Sequence, residues 1–280
     1  MTIDKECNTV YFANTVTADF TAMTSEIIKI IQNHGYKVKI LDESDDYWCR
    51  DYMPIQLSDK EYIQFVYHPH RYINSNEMEF ISNPVKIQLA NKLNTPRFSR
   101  LILDGGNIVR SKDIAILTDR VFEDNLYQYY DRQSIINQLK CDLSSKVIII
   151  PQYPGEKTGH ADNLIRFVDE NTVVINKIKD EPETEWLNNF LSLLENYNLK
   201  YYEMPCPATK KSYSEFGLYL NFLEIGKLII APQYDIPEDQ KAMQTFTDLY
   251  GKTHHVIPFK ASWIAEYGGV FNCISWCVKL

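Results

Sequence analysis

Short runs of β-favouring residues alternate with longer amphipathic stretches along the chain. Five such runs, at residues 36–41, 101–103, 147–150, 201–204 and 255–259, each lead into a polar or glycine-containing segment, and a second β-rich run often follows. The segments are YWCRD, DGGN, PGEKTGHAD, KKSYSEFG and YGGVFNC. A recurrence of about 50 residues predicts one supersecondary unit used five times. Between the runs, apolar residues return at helical spacing. Residues 25–33 present Ile27, Ile28 and Ile31 and stop at Gly35, and residues 125–139 present Leu126, Tyr129, Tyr130 and Ile136. Residues 183–197 present Trp186, Phe190, Leu193 and Leu194, and residues 238–250 present Ala242, Met243, Phe246 and Leu249. Alternating strands and helices predict an α/β protein. If the units surround a centre, their polar loops converge on one site.

Length and charge narrow the function. A chain of 280 residues that is 45% hydrophobic can bury a sizeable core. No linker divides it, so one domain over 1–280 is expected. The net charge of −8 argues against a nucleic-acid partner. No apolar run reaches the roughly 18 residues of a membrane span. Asp4 and Glu6 stand where a secretory leader is basic and then apolar, so a cytoplasmic protein is expected. The six cysteines contain no CxxC, which points to free thiols rather than a disulfide or zinc framework. Homo-oligomer formation is left open.

Four segments carry candidate chemistry. In GGVFNC, Gly268 and Gly269 precede Cys273, and residues 274–278 read as a buried strand. Cys273 sits at the loop–strand junction, where a thiol is reachable, although a buried cysteine is more often plain core. Cys277, roughly 13 Å deeper along an extended chain, reads as core. In TGHAD, an extended backbone sets His160 and Asp162 on one side, about 6.6 Å apart. That suits a proton-moving imidazole beside a carboxylate that holds a cation, against the bland alternative of a surface-loop histidine. His68, His70, His254 and His255 show no metal-ligand spacing, so no metal is expected. In WCRD, Trp48 and Asp51 can line a pocket for a delocalised cation; alternatively Trp48 is core and Arg50–Asp51 a surface pair. In DGGN, Asp104 precedes a tight turn and can simply accept turn N–H groups.

Together these segments resemble the motifs of agmatine deiminases and bacterial peptidylarginine deiminases. WCRDYMP is similar to their W-x-R-D-x-x-P, LDGGN to E-G-G, TGHADNLIRF to T-x-G-H-x-D-x-x-x-R-F, and GGVFNC to the terminal G-G-x-x-x-C. SYSEFGLYLNF followed by KLIIAPQYD resembles the fourth unit, with its Asn before a strand. The resemblance implies a five-bladed α/β propeller (pentein) of ββαβ units. It also implies hydrolysis of a guanidino group to a ureido group and ammonia, without cofactor or metal. Cys273 falls on the nucleophile, His160 on the general acid/base and Asp104 on the carboxylate that orients it. Asp51 and Asp162 fall on the guanidinium ligands, Trp48 on a pocket wall, and Gly269 on the glycine pair before the nucleophile.

Three positions depart from the pattern. Asp104 stands where the family has Glu, so its bond to His160 is expected to be weaker or water-mediated. Phe271-Asn272 replaces Ile-His, and Cys49 has no family role. The expected partner is a small cationic guanidino compound, agmatine-like. The GGVFNC and GHAD motifs contain no basic residue to receive a substrate carboxylate, and strand alternation turns Arg50 away from Asp51. Peptidyl- or free-arginine deimination and amidino transfer are the alternatives on the same residues. A non-catalytic propeller would be expected to lose some of them, and a papain-like thiol hydrolase would not need several carboxylates and a tryptophan.

Overall fold

The computed structural model describes residues 1–128, 131–154, 156–177, 184–207 and 217–280. Among the described residues, fifteen strands form five separate three-stranded sheets. The first contains β1 (Thr9–Ala13) and β2 (Lys37–Leu41). The second is β3 (Ile55–Gln56), β4 (Tyr62–Val66) and β5 (Arg97–Ile102), and the third β6 (Val109–Arg110), β7 (Ile114–Thr118) and β8 (Lys146–Ile150). The fourth is β9 (Ile165–Phe167), β10 (Thr172–Lys177) and β11 (Lys200–Pro205). The fifth is β12 (Leu223–Ile225), β13 (Leu228–Gln233) and β14 (His255–Lys260). β15 (Ser275–Val278) returns to complete the first sheet beside β1. Each sheet has an antiparallel pair followed by a parallel one, so the expected five-unit α/β propeller is the observed fold.

The parallel step needs a crossover, and helices supply it. Thr21–Asn33, Pro84–Ala90, Arg132–Leu143, Thr184–Asn196 and Glu238–Tyr250 lie between the second and third strands of successive sheets. In the last, Ala242, Phe246 and Tyr250 form a buried stripe at fourfold spacing. The rings of Phe246 and Tyr250 meet Phe222 at 5.3 and 5.7 Å. The helix expected over 125–139 is instead two, Arg120–Asn125 and Arg132–Leu143. Asp131 starts the second by accepting from the Ser134 N–H at 2.7 Å, an N-cap that overrides the apolar spacing. The expected Tyr129 and Tyr130 contacts, and the 212–216 stretch of the fourth motif, lie outside the described residues.

Ring closure joins the two ends of the fold. Thr9 to Phe12 pair with Val278 to Ser275. Asn8 bonds Leu280 through both its amide nitrogen and oxygen, at 2.7 and 3.0 Å, and Gln56 does the same for Lys279, at 2.9 and 2.8 Å. Trp276 is buried, stacks near Tyr11 at 5.0 Å and donates its indole N–H to the Pro54 carbonyl at 2.8 Å. It thereby ties the closing sheet to the start of the next blade. Trp276→Ala is expected to destabilise the fold by about 3–5 kcal/mol. Urea unfolding checks it, and a loss of unfolding free energy under a quarter of that size would count against closure as a main source of stability.

Candidate active site

The first strand of each blade is preceded by a short turn, and these turns converge. Cys49–Tyr52 is one turn of α-helix before β3, while Gly105–Asn107 and Ala161–Asn163 are 3₁₀ turns before β6 and β9. Asn221 and Cys273 sit just ahead of β12 and β15. The extended backbone expected for His160 to Asp162 is therefore corrected. His160 is extended, but residues 161–163 coil, because the turn satisfies its own backbone through the Leu164 N–H to Ala161 carbonyl bond.

The coiling splits neighbouring residues between two cavities. Asp51, Asn163 and Cys273 line a front cavity with Trp48, Asp104 and His160. Their immediate neighbours Arg50, Asp162 and Asn272 line a second cavity behind it. Arg50 thus does point away from Asp51, by a helical turn rather than by strand alternation.

His160 is held between two carboxylates. Its Nε2 lies 3.3 Å from Asp104 Oδ2 and its Nδ1 3.7 Å from Asp51 Oδ1. The Asp104 distance is at the long end for a charge-assisted bond, as the shorter side chain implies. Asp51 Oδ1 also accepts from the Gly106 N–H at 3.0 Å. A Cβ on Gly106 would stand 2.6 Å from both that oxygen and His160 Nδ1, so glycine is required here. Gly269 contributes by contact with the pocket wall: a Cβ there would lie 2.4 Å from Trp48 Cζ3, and its absence lets the ring rest on the backbone. Gly268, at φ +101°, is the glycine that reaches the front cavity.

Cys273 is clamped by Asn221, a residue not singled out as a site residue from sequence. Asn221 Nδ2 donates to the thiol sulfur at 3.1 Å, and its Oδ1 accepts from the Cys273 N–H at 3.2 Å. The available signal was an Asn beside two aromatics directly ahead of a strand. Asn272 has a partner of its own, donating to Asp162 Oδ2 at 2.6 Å and leaving Asp162 Oδ1 without a hydrogen bond among the described residues. Cys49 is fully buried, its sulfur 3.1 Å from the Ile274 carbonyl, and burial pushes its thiol up, so it is core. Cys277 is core as expected.

Burial and crowding set the charges. Burial opposes protonation of His160, but the Asp51 and Asp104 carboxylates outweigh it and raise its pKa, so it is imidazolium at neutral pH. Burial raises Asp51, reinforced by the Asp104 and Asp162 carboxylates and opposed by His160. Asp162 is raised by burial despite His160, Asn272, Arg166 and Arg50. The Cys273 thiol is pushed well up by burial and then by Asp162 and Asp51. A cation entering between those carboxylates would cancel the repulsion that keeps the thiol protonated.

The mouth corrects one expectation. The GGVFNC and GHAD motifs hold no basic residue, yet Arg71, Arg120 and Lys157 line the front cavity from outside them. Arg120 is paired with Asp124 at 2.9 Å, as is His70 at 2.8 Å. The Arg71 guanidinium lies 5.9 Å from the centre of the Trp48 ring and donates to the Tyr267 carbonyl at 2.9 Å.

Comparison with known proteins extends the likeness to the whole fold. An agmatine deiminase from Pseudomonas syringae pv. tomato is 26% identical over 215 residues, 64% of this chain and 58% of that protein. One from Pseudomonas fluorescens is 24% identical over 72% of this chain and 62% of its own length. The matched region thus spans less than two thirds of these relatives. C. jejuni agmatine deiminase superposes with a TM-score of 0.77 at 16% identity, covering 99% of this chain and 94% of that one. DDAH from Pseudomonas aeruginosa superposes with a TM-score of 0.61 at 12% identity, covering 97% and 99%. The family model for Porphyromonas-type peptidyl-arginine deiminase matches residues 7–278, and the chain belongs to that family.

Proposed function

We propose that this protein hydrolyses the guanidino group of a small cationic substrate to a ureido group and ammonia. The observation that carries the reading is the convergence of Cys273, His160, Asp51 and Asp104 on one cavity walled by Trp48. A guanidinium carbon is a poor electrophile because resonance spreads its charge. Asp51 binds the cation from the front, and the free oxygen of Asp162 binds it from the dividing wall. The bound charge lowers the Cys273 thiol toward thiolate, and sulfur attacks the central carbon. The C–N bond breaks as His160 gives its proton to the departing ammonia, leaving an amidino-thioether. His160 then takes a proton from water, the hydroxide adds, and collapse returns the thiolate and a urea. Amidino transfer would use the same atoms with an amine in place of that water.

For the far end of the substrate, the motif residues favour agmatine, a bare amine. Arg71 favours a second reading, a guanidine whose far end bears a carboxylate, such as arginine or a carboxyl-terminal arginine. No carboxylate among the described residues lies within ion-pair distance of Arg71.

Ammonia release from agmatine, arginine and a carboxyl-terminal arginine peptide tests the reading. Cys273→Ser and His160→Ala should abolish turnover with the fold intact; near-wild-type activity from either would sink the mechanism. A tenfold preference for agmatine in kcat/KM, about 1.4 kcal/mol, would remove the carboxylate reading, whereas a preference for arginine that Arg71→Gln erases would establish it. The pH profile should be a bell. Asp51 must be ionised, so activity falls as pH drops through its raised pKa, above the usual carboxylate range. His160 must carry its proton, so activity falls as pH rises through its own raised pKa, above the usual imidazole range.

Asp162→Asn should separate function from stability. A carboxyl raised by folding loses stability as pH climbs from its ordinary pKa through the folded one. The variant escapes that loss, so at neutral pH its Tm should exceed the wild type's while turnover falls at least a hundredfold. A lower Tm at neutral pH would count against an ionised, strained Asp162.

A further inference from the structure

The cavity behind the site, about 200 Å³ in volume, holds a charge cluster that the proposed chemistry does not use. Three arginines from successive blade entries, their side chains at most 8% exposed, meet there around one carboxylate. Arg50 Nη1 and Arg110 Nη2 lie 3.6 and 3.3 Å from Asp4 Oδ1, and Arg166 Nη2 lies 3.5 Å from Asp4 Oδ2. Asp4 belongs to the 3₁₀ turn Asp4–Glu6, whose backbone is pinned by the Gly226 N–H to the Asp4 carbonyl at 3.0 Å. Burial would raise the Asp4 carboxyl, but Arg50, then Arg110 and Arg166, outweigh it and hold the pKa below its ordinary value. Asp4 is therefore an anion at neutral pH.

Arg50 is the link to the nucleophile. Its backbone N–H donates to the Cys273 carbonyl at 3.1 Å and its Nε to the Asn272 carbonyl at 3.4 Å. Its Nη2 has no hydrogen-bond partner among the described residues, and neither has Asp162 Oδ1 on the same cavity. Glu224, the other acid in this cluster, lies 3.2 Å from His254 and 3.8 Å from Arg166. After Asp4, the carboxylate whose charge acts most on Arg50 is Asp162, and a guanidinium that claims Asp162 from behind competes with a guanidinium substrate in front. We propose that Asp4 is a positioning residue: it anchors Arg50 on the nucleophile turn and so keeps Asp162 free to bind substrate. This rests on the reading of Asp162 as a substrate ligand.

The test compares two alkylators of Cys273 by mass spectrometry of its peptide. 2-Chloroacetamidine is a planar cation that needs the carboxylates, and iodoacetamide is neutral and does not. In Asp4→Asn, labelling by chloroacetamidine should slow at least tenfold while labelling by iodoacetamide stays within twofold. Sodium formate, a small anion that can enter the cavity, should restore the cationic rate, Asp4→Glu should resemble wild type, and KM should rise more than kcat falls. The double variant Asp4→Asn/Arg50→Met removes the competitor and should recover the labelling ratio, even if the single variant folds poorly. Equal slowing of both reagents, slowing of neither, a formate-insensitive defect, or a ratio that stays low in the double variant overturns the proposal. If wild type released ammonia from no guanidine, the functional reading would fail while the labelling ratio still decided the role of Asp4.

Discussion

Like charges buried together repel, and this protein gathers three carboxylates around one imidazole and one thiol. Asp51, Asp104 and Asp162 would spread apart if the backbone allowed it. What prevents this is a ring of five sheets, each with its own crossover helix, whose entry turns can move inward or outward only together. The site is thus a consequence of closure. β15 completes the sheet of β1, and Trp276 bridges that sheet to the Pro54 carbonyl at the start of the next blade. Chemistry and architecture meet at Cys273, two residues before the strand that closes the ring.

The repeat was legible because the third strand of every blade is a visible apolar or β-branched run. Residues 36–41, 101–103, 147–150, 201–204 and 255–259 overlap β2, β5, β8, β11 and β14. The first strands were not legible as a class. β3 and β6 are two residues each, Ile55–Gln56 and Val109–Arg110, too short to display an alternation. Their outward-looking composition is also misleading, since Arg110 and Arg166 are buried in the centre and meet an acid there. Strand geometry failed again at His160–Asp162, where a 3₁₀ turn replaced the extended chain. A turn of that kind is fixed by the blade it enters and not by its own side chains.

The candidate site was legible as motifs but not as an environment. Trp48, Asp51, Asp104, His160 and Cys273 reach one cavity from four separate stretches of sequence, while Asp162 and Gly269 stand one layer behind it. What motifs could not convey is which residues far from them border the same space. Asn221 clamps the thiol and Arg71 guards the mouth, yet neither carries a local signature that distinguishes it from any other buried amide or exposed cation. Asn272, an oddity as a letter, becomes intelligible once its amide is seen on Asp162.

The order of these residues along the chain has a temporal meaning. Asp51, Asp104, His160 and Asp162 are all synthesised before Cys273, and β1 waits for β15 until almost the whole fold has been made. A growing chain can form its middle blades from local strands and helices, since each blade pairs neighbours in sequence. Its carboxylates and histidine would then face a gap where Cys273 and the glycines before it belong. A chain interrupted between residues 162 and 273 carries the three carboxylates and the histidine without Cys273. Such fragments lack the thiol on which the proposed chemistry turns, so the site is assembled only when the ring closes.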